Sequence, residues 1–441
     1  MRIYEWHSAF IRKFAYLHEA VLAEAGNHSL FEHTMKLFRN LTEAVNEALE
    51  EIFNENRYAD KVIERVLKQN PKWGSRDRKF IAETTYEMVR WWRLLSEITP
   101  HTNQESIKKY SGENFWNLFG AYLVLNNQEL PVWEEFKNIN RELIINNLEK
   151  IKSIRKIRES IPDWLDETCA GELAEDVWEK EIRALNEQAK VVLRTNTLKT
   201  TRSDLQGKLL LQNIETGVVD FSLDALALKQ RQNIFQLPEF KEGLFEVQDA
   251  ASQLVAPFLK AETGMRVIDA CAGGGGKTLH LAALMKNKGK IIAMDTEQWK
   301  LDELKRRARR AGASNIETKI IESNKTIKRL QNSADRLLLD VPCSGLGVLK
   351  RNPDAKWKLS HEYIERVKKQ QQEILQNYSS MLKKDGILVY ATCSILPSEN
   401  EKQVEKFLSA QKGNFELLEE KKVFPSMGFD GFYMVALKKK I

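Results

Sequence analysis

The chain has 441 residues, with 68 Lys+Arg against 62 Asp+Glu and a formal net charge of +6. At roughly 100–200 residues per domain this length implies two to four domains. A hydrophobic share of 42% beside 29% charged residues excludes global disorder, and no apolar run approaches the ~20 residues of a membrane span.

In chain order, the sequence up to about residue 190 reads as helices. Leu41 to Phe53 and Asp60 to Leu67 carry apolar residues at helical spacing. Gly74-Ser75 opens a further helix, with Ser75 the expected N-cap and Asp77 in its first turn. Ile81, Thr85, Met88, Trp92 and Leu95 then recur every three or four residues, while Arg78, Lys79, Glu83, Glu87 and Arg90 fall on other faces. Eight of the ten tryptophans precede residue 180. At helical spacing they predict a Trp-rich core in preference to a base-stacking surface. From Val191 to about residue 245 short strands mix with a helix near Arg202 to Leu211, a small α+β module.

The last third alternates strand and helix. Strands are expected at 266–269, 290–295, 317–321, 336–340 and 386–392, and helices at 277–286, 298–311, 360–382 and 399–410. This order predicts an α/β fold, a doubly wound parallel sheet covered on both faces. Ligands in such folds bind beyond the carboxyl ends of the strands. The first of those ends carries Asp269-Ala270-Cys271-Ala272-Gly273-Gly274-Gly275-Gly276-Lys277-Thr278. Four glycines between strand and helix let the backbone turn tightly and approach a ligand, and the helix start favours an anionic group.

Three cofactor classes compete for this loop. Gly276-Lys277-Thr278 matches the end of a P-loop, and Arg336 to Asp340 resembles its acidic strand, but Cys271 stands where the leading Gly belongs. A dinucleotide fingerprint wants a third Gly where Thr278 sits. S-adenosylmethionine wants an acidic residue after the second strand for the ribose hydroxyls, which Asp295 supplies.

The four cysteines, at 169, 271, 343 and 393, include no C-x-x-C pair. They predict neither a disulfide framework nor a metal site, and they fit a reducing cytoplasm. Cys271, Cys343 in Asp340-Val341-Pro342-Cys343-Ser344, and Cys393 in Tyr390-Ala391-Thr392-Cys393-Ser394 all follow expected parallel strands. From the residues alone Cys343 and Cys393 are equal candidates for a nucleophile.

From about Phe245 onward the sequence resembles the RNA 5-methylcytosine methyltransferases, and within them the bacterial Sun/Fmu type that modifies small-subunit ribosomal RNA. The resemblance rests on Val247-Gln248-Asp249 to Gln253, the Asp269–Thr278 loop, the two cysteine stretches, Arg351-Asn352-Pro353-Asp354 to Trp357, Pro397 to Asn400, and Asp430-Gly431-Phe432. The N-terminal helices are similar to a NusB-type RNA-binding bundle, and Leu193-Arg194-Thr195-Asn196 resembles the family's small RNA-contacting module. The resemblance thus implies an extension over 1–35, a NusB-like helical domain over 36–165, the α+β module over 166–245 and a Rossmann-like methyltransferase domain over 246–441.

It further implies S-adenosyl-L-methionine as cofactor, RNA as partner and a monomer in the cytoplasm with no membrane association. Cytosine carbon 5 is a poor nucleophile, so a thiolate must first add at carbon 6. The resemblance nominates Cys393 for that addition and Cys343 for product release, with Asp340 near the ring N3 and Lys277 on the base carbonyl. Cys271, Ala272, Gly273, Gly274, Gly275, Gly276, Lys277, Asp295, Glu322 and Asp340 are the implied cofactor contacts. Two positions depart from the family pattern: Gly273-Gly274 replaces Ala-Pro, and Glu322 stands where an Asp usually contacts adenine. The basic row Lys300, Lys305, Arg306, Arg307, Arg309 and Arg310 reads as a solvated helix face, and Lys350-Arg351 as the better candidate for RNA phosphates. The alternatives are a P-loop NTPase and a catalytically silent RNA-binding scaffold.

Overall fold

The computed structural model describes residues 37–100 and 109–441, so the expected extension over 1–35 lies outside the described residues. The chain divides into two compact units, one reaching to Gln188 and including Leu349–Lys358, the other made of Ala189–Val348 and Leu359–Ile441. Among the described residues no helix is long and apolar enough to cross a membrane.

The first unit is helical: α1 (Arg39–Asn54), α2 (Ala59–Gln69), α3 (Ser75–Arg90), α4 (Trp92–Ile98), α5 (Gly112–Leu125), α6 (Arg141–Ile151), α7 (Asp163–Leu173) and α8 (Glu175–Leu185) are its longer elements. The stripe Ile81, Thr85, Met88, Trp92 and Leu95 is wholly buried, as its spacing requires. Helix α3 begins one residue earlier than expected. Gly74 is its N-cap, and the Gly74 N–H donates to Asp77 Oδ2 at 3.0 Å, which satisfies one of the orphan donors of the first turn. Trp92 lies at the centre of the core, its ring stacked on Phe53 at 3.7 Å and met edge-on by Tyr110. Trp178 is also fully buried and donates its Nε1–H to Asp166 Oδ1 at 2.7 Å. These tryptophans are core residues; Trp6 lies outside the described residues.

Leu349–Lys358 belongs to this helical unit although it follows a strand of the other. Asp354 accepts the N–H of Ala59 at the start of α2 at 2.9 Å, and Trp357 Nε1 donates to the Val89 carbonyl at 2.8 Å. Lys356 is buried, its ammonium donating to the Arg90 carbonyl at 2.8 Å. Lys350 is only 3% exposed and its Nζ sits 3.2 Å from Glu187. The expected RNA contact by Lys350 is therefore corrected, because its charge is buried against a carboxylate.

The second unit opens with an antiparallel sheet of order β2-β3-β1-β4, built from β1 (Val192–Thr195), β2 (Thr216–Val218), β3 (Ala225–Leu228) and β4 (Phe245–Val247), with α9 (Arg202–Leu211) packed on it. Thr201 caps α9 by accepting the Asp204 N–H at 3.1 Å. A seven-stranded sheet follows, made of β5 (Arg266–Asp269), β6 (Lys290–Asp295), β7 (Ile316–Ile320), β8 (Ala334–Asp340), β9 (Leu382–Thr392), β10 (Phe415–Val423) and β11 (Phe432–Lys439). Its order is β10-β11-β9-β8-β5-β6-β7. The five expected strands are all present and mutually parallel. The sheet is not purely parallel, because β11 runs antiparallel to both β9 and β10. Buried residues cover both faces, in clusters around Ile268, Leu337 and Leu388 on one side and Val267, Leu338 and Val389 on the other. Around the sheet lie α10 (Gly276–Leu284), α11 (Gln298–Ala311), α12 (His361–Tyr378) and α13 (Glu401–Gln411). Strand order reverses at β5, whose neighbours are β6 and β8, so the crevice for a ligand opens where Asp269, Asp295 and Asp340 end their strands.

Candidate active site

The glycine loop joins β5 to α10. Gly273 and Gly275 adopt φ of +53° and +87°, conformations that cost a side-chain-bearing residue about 1–2 kcal/mol. A Cβ on Gly275 would also stand 2.5 Å from Leu304 Cγ. The turn is closed by the Ala272 N–H on the Met294 carbonyl and the Gly275 N–H on the Ala272 carbonyl, each at 2.9 Å. Asp295 is drawn onto the loop, its Oδ2 accepting the Gly273 N–H at 2.9 Å and its Oδ1 the Glu297 N–H at 3.0 Å. Glu322 stands on the same rim, exposed, one residue past the Ile321 N–H that donates to the Asp295 carbonyl at 2.9 Å.

Two arginines hold the loop from behind. Arg307 Nη1 donates to the Gly274 carbonyl at 2.6 Å, and Arg194 donates to the Gly276 carbonyl. Arg307 and Arg310 both bind Glu246, at 3.0 and 2.6 Å, and Glu246 is 3% exposed. Arg194 also donates to Gln248 Oε1. Part of the basic row on α11 is thus neither a solvated face nor a phosphate clamp. It is structural, fastened to β4 and the loop. Sequence reasoning missed Arg194, Glu246, Gln248 and Arg307 as site residues; the matching stretches around Arg194 and Gln248 were the only signal.

Asp269 is buried below the loop and accepts the Thr278 hydroxyl on Oδ2 at 2.7 Å. Its Oδ1 has no well-formed hydrogen bond, although the Cys271 N–H lies near enough to favour the charge. Burial, reinforced by the charge of Asp340, pushes this carboxyl up to about 7 against the opposing pull of Thr278 and Lys277. Burial also raises the Cys271 thiol far above its ordinary range, with Asp269, Asp340 and Asp295 adding to the effect. Cys271 is on the rim, in surroundings that disfavour its thiolate.

Cys343 and Cys393 come together. Strands β8 and β9 are parallel neighbours with Asp340 opposite Ala391, and the two Sγ atoms stand 3.2 Å apart. Close approach of glycine backbones lets the loops meet. The Gly347 N–H donates to the Cys393 carbonyl at 2.9 Å and the Gly431 N–H to the Gly347 carbonyl at 2.7 Å, and a Cβ on Gly347 would stand 2.3 Å from the Gly431 oxygen. Beside the sulfurs, Lys277 Nζ is 2.5 Å from Asp340 Oδ2 and 5.1 Å from the centre of the Phe432 ring. Burial works against the Lys277 ammonium, but attraction from Asp340, then from Cys393 and Asp269, raises it on balance. The Cys343 thiol is held well above its ordinary range by its hydrogen bond with Cys393, by burial, and by the charges of Cys393 and Glu399. The fourth cysteine, Cys169, is buried in α7 of the helical unit.

The site therefore presents two sulfurs in contact, a lysine–aspartate pair beside them and a loop shaped for a ligand. Residues 256–437 match the model of a family described as 16S rRNA methyltransferase RsmB/F. Residues 161–235 match a ferredoxin-like domain described as RsmF/B-like. A probable ribosomal RNA small subunit methyltransferase B of Synechocystis sp. is 33% identical over 397 residues, covering 82% of this chain and 87% of that protein. The ribosomal RNA small subunit methyltransferase B of Pasteurella multocida is 35% identical over 295 residues, 64% of this chain and 65% of that protein. Among solved structures, PH0851 superposes with a TM-score of 0.77 at 23% identity over 92% of this chain and 100% of its own. A methyltransferase homologue from Pyrococcus horikoshii gives 0.58 at 26% identity over 65% of this chain and 97% of its own.

Proposed function

The chain belongs to the RsmB/F family of 16S ribosomal RNA methyltransferases, and from that membership we propose that it methylates carbon 5 of a cytosine through a covalent bond to Cys393. The observation that carries this reading is the pair of sulfurs 3.2 Å apart with the Lys277–Asp340 pair beside them. Methylation of an exocyclic nitrogen or a ribose hydroxyl needs no thiol, whereas carbon 5 needs one to add and expel.

The residues present fit S-adenosyl-L-methionine as the methyl donor. Gly273, Gly274, Gly275 and Gly276 form a cradle, Asp295 lies at its edge for ribose hydroxyls, and Cys271, Ala272, Lys277, Asp340 and Glu322 line the same rim. The poorly satisfied Asp269 oxygen suits a ligand bearing an ammonium. When bound, the cofactor supplies an electrophilic methyl.

The protein's own part in the chemistry follows from charge. Two thiolates 3.2 Å apart repel, so at most one of the two sulfurs carries charge at a time. Lys277 attracts Cys393, while Glu399 repels charge from Cys343. Cys393 Sγ then bonds to carbon 6, and the electron pair moves toward the ring N3 and carbonyl, where the proton held between Lys277 and Asp340 meets it. After carbon 5 gains its methyl, a water molecule acting as base takes the carbon-5 proton and the C5–H electron pair forms the 5,6 double bond. The carbon–sulfur bond breaks, the thiolate returns to Cys393, and Cys343 assists this release. Such thiols require a reducing compartment, which the cytoplasm provides.

The helical unit resembles a NusB-type RNA-binding bundle, and the β1–β4 module resembles the family's RNA-contacting domain. They supply contacts to structured RNA around a base that must leave its stack. The chain acts as a monomer, with the helical unit and the β1–β4 module preceding a methyltransferase domain near 246–441. Incubation with 16S ribosomal RNA and methyl-labelled S-adenosylmethionine, followed by nucleoside mass spectrometry, is expected to place the label in 5-methylcytidine. Label in any other nucleoside contradicts the reading.

A further inference from the structure

Resting on that reading, we propose that Glu399 is a positioning residue that ties the two cysteine turns together and so holds the sulfur of Cys343 against that of Cys393. Glu399 is fully buried in the turn Pro397–Glu399 that follows β9. Its Oε1 accepts the Ser344 N–H at 2.8 Å and Gln371 Nε2 at 3.1 Å. Its Oε2 accepts the Ser344 hydroxyl at 2.5 Å and the Ser394 hydroxyl. Ser344 and Ser394 directly follow the two cysteines in the chain.

The same point is braced from both sides. Gln371 of α12 also donates to the Pro342 carbonyl at 2.9 Å, so it holds the residue before Cys343. Tyr390 donates to the Glu399 carbonyl at 2.7 Å, and Asn400 accepts the Thr392 hydroxyl at 2.5 Å while donating to the Ser394 carbonyl at 3.0 Å. Residues on each side of each cysteine are therefore bound to Glu399 or to its neighbours.

A carboxylate suits this task because it only accepts, with about four lone-pair sites for four donors. Such charge-assisted bonds are stronger than neutral ones. A neutral amide in its place keeps one oxygen and turns two N–H groups toward donors, leaving buried donors unmade. Glu399 touches neither sulfur through any of these bonds. It acts through Ser344 and Ser394, and its charge favours the thiol form of Cys343.

The test has two arms. In the first, wild type, Glu399→Gln and Cys343→Ala are titrated with phenylarsine oxide, which bridges two thiols only when they are adjacent, without RNA or cofactor. Glu399→Gln is expected to bind at least about tenfold more weakly than wild type, approaching Cys343→Ala. Wild-type arsenical affinity in Glu399→Gln overturns the proposal. In the second arm, RNA methylation is followed. Glu399→Gln is expected to keep its affinity for S-adenosylmethionine and its KM for RNA, to lose at least about tenfold in kcat, and to accumulate a denaturation-resistant RNA adduct. A loss of kcat matched by loss of cofactor affinity, with no adduct, indicates a folding defect and overturns it as well. If wild type methylates no cytosine while the arsenical arm behaves as expected, the function reading fails and the positioning role stands. Should Glu399→Gln not fold, Ser394→Ala removes a single donor and carries both arms, with about threefold effects expected. Unchanged behaviour in Ser394→Ala counts against the proposal.

Discussion

The sulfurs of Cys343 and Cys393 lie 3.2 Å apart although 50 residues separate them in the chain. Cys393 attracts the Lys277 ammonium, whereas Cys343 is kept as a thiol by Cys393, by burial and by the charge of Glu399. The choice of Cys393 as the nucleophile, which the two strand-end motifs alone left open, rests on the family resemblance and is the one we propose.

The Lys277–Asp340 pair is expected to matter more for rate than for cofactor affinity. Lys277→Met and Asp340→Asn should each lower the single-turnover methylation rate by about 10²–10⁴-fold, the range of a positioned proton-handling group. Calorimetric affinity for S-adenosylmethionine should change by less than about tenfold. Equal losses in both quantities would assign the pair to binding alone.

The glycine loop offers a graded test. Gly275→Ala meets both a φ of +87° and Leu304 at 2.5 Å, whereas Gly273→Ala meets a φ of +53° with no atom within 4 Å. Strain of about 1–2 kcal/mol acts on both, and overpacking of about 1–3 kcal/mol acts on the first alone. Calorimetry should show Gly275→Ala losing much more cofactor affinity than Gly273→Ala. The reverse order would mean that the loop binds in another conformation.

Asp269 predicts a pH dependence. Its carboxyl is pushed up to about 7 when folded, mainly by burial, against 3.8 for an exposed aspartate. Between those values the folded state binds more protons than the unfolded one, so stability falls as pH rises through about 4 to 7. The contribution is on the order of 4 kcal/mol. Thermal unfolding of the cofactor-free protein should lose part of its pH slope in Asp269→Asn. An unchanged slope would show that Asp269 is ionised throughout.

Much of the fold was legible because β5 to β9 are short, strongly apolar runs separated by amphipathic helices. The last two strands were not. β10, Phe415–Val423, exposes every residue between its two ends, so Glu and Lys occupy both faces and no period-two pattern remains. The cysteines were legible as residues sharing a rim, but their contact depends on the strand order and on glycine backbones at Gly347 and Gly431. Arg194 and Arg307 were illegible as loop supports, since nothing local separates a charge bound to a buried carbonyl from one in solvent. Lys350 misled for the same reason: its sequence position beside the Pro-Cys stretch says nothing about the Glu187 carboxylate that holds it.

The central claim is the division of labour between the two sulfurs. It is tested most directly by incubating Cys393→Ala and Cys343→Ala with ribosomal RNA and S-adenosylmethionine and resolving the products on a denaturing gel. The expected result is no turnover and no adduct for Cys393→Ala, and a covalent RNA–protein band that fails to resolve for Cys343→Ala. A persistent adduct with Cys393→Ala and none with Cys343→Ala would reverse the roles and contradict the account.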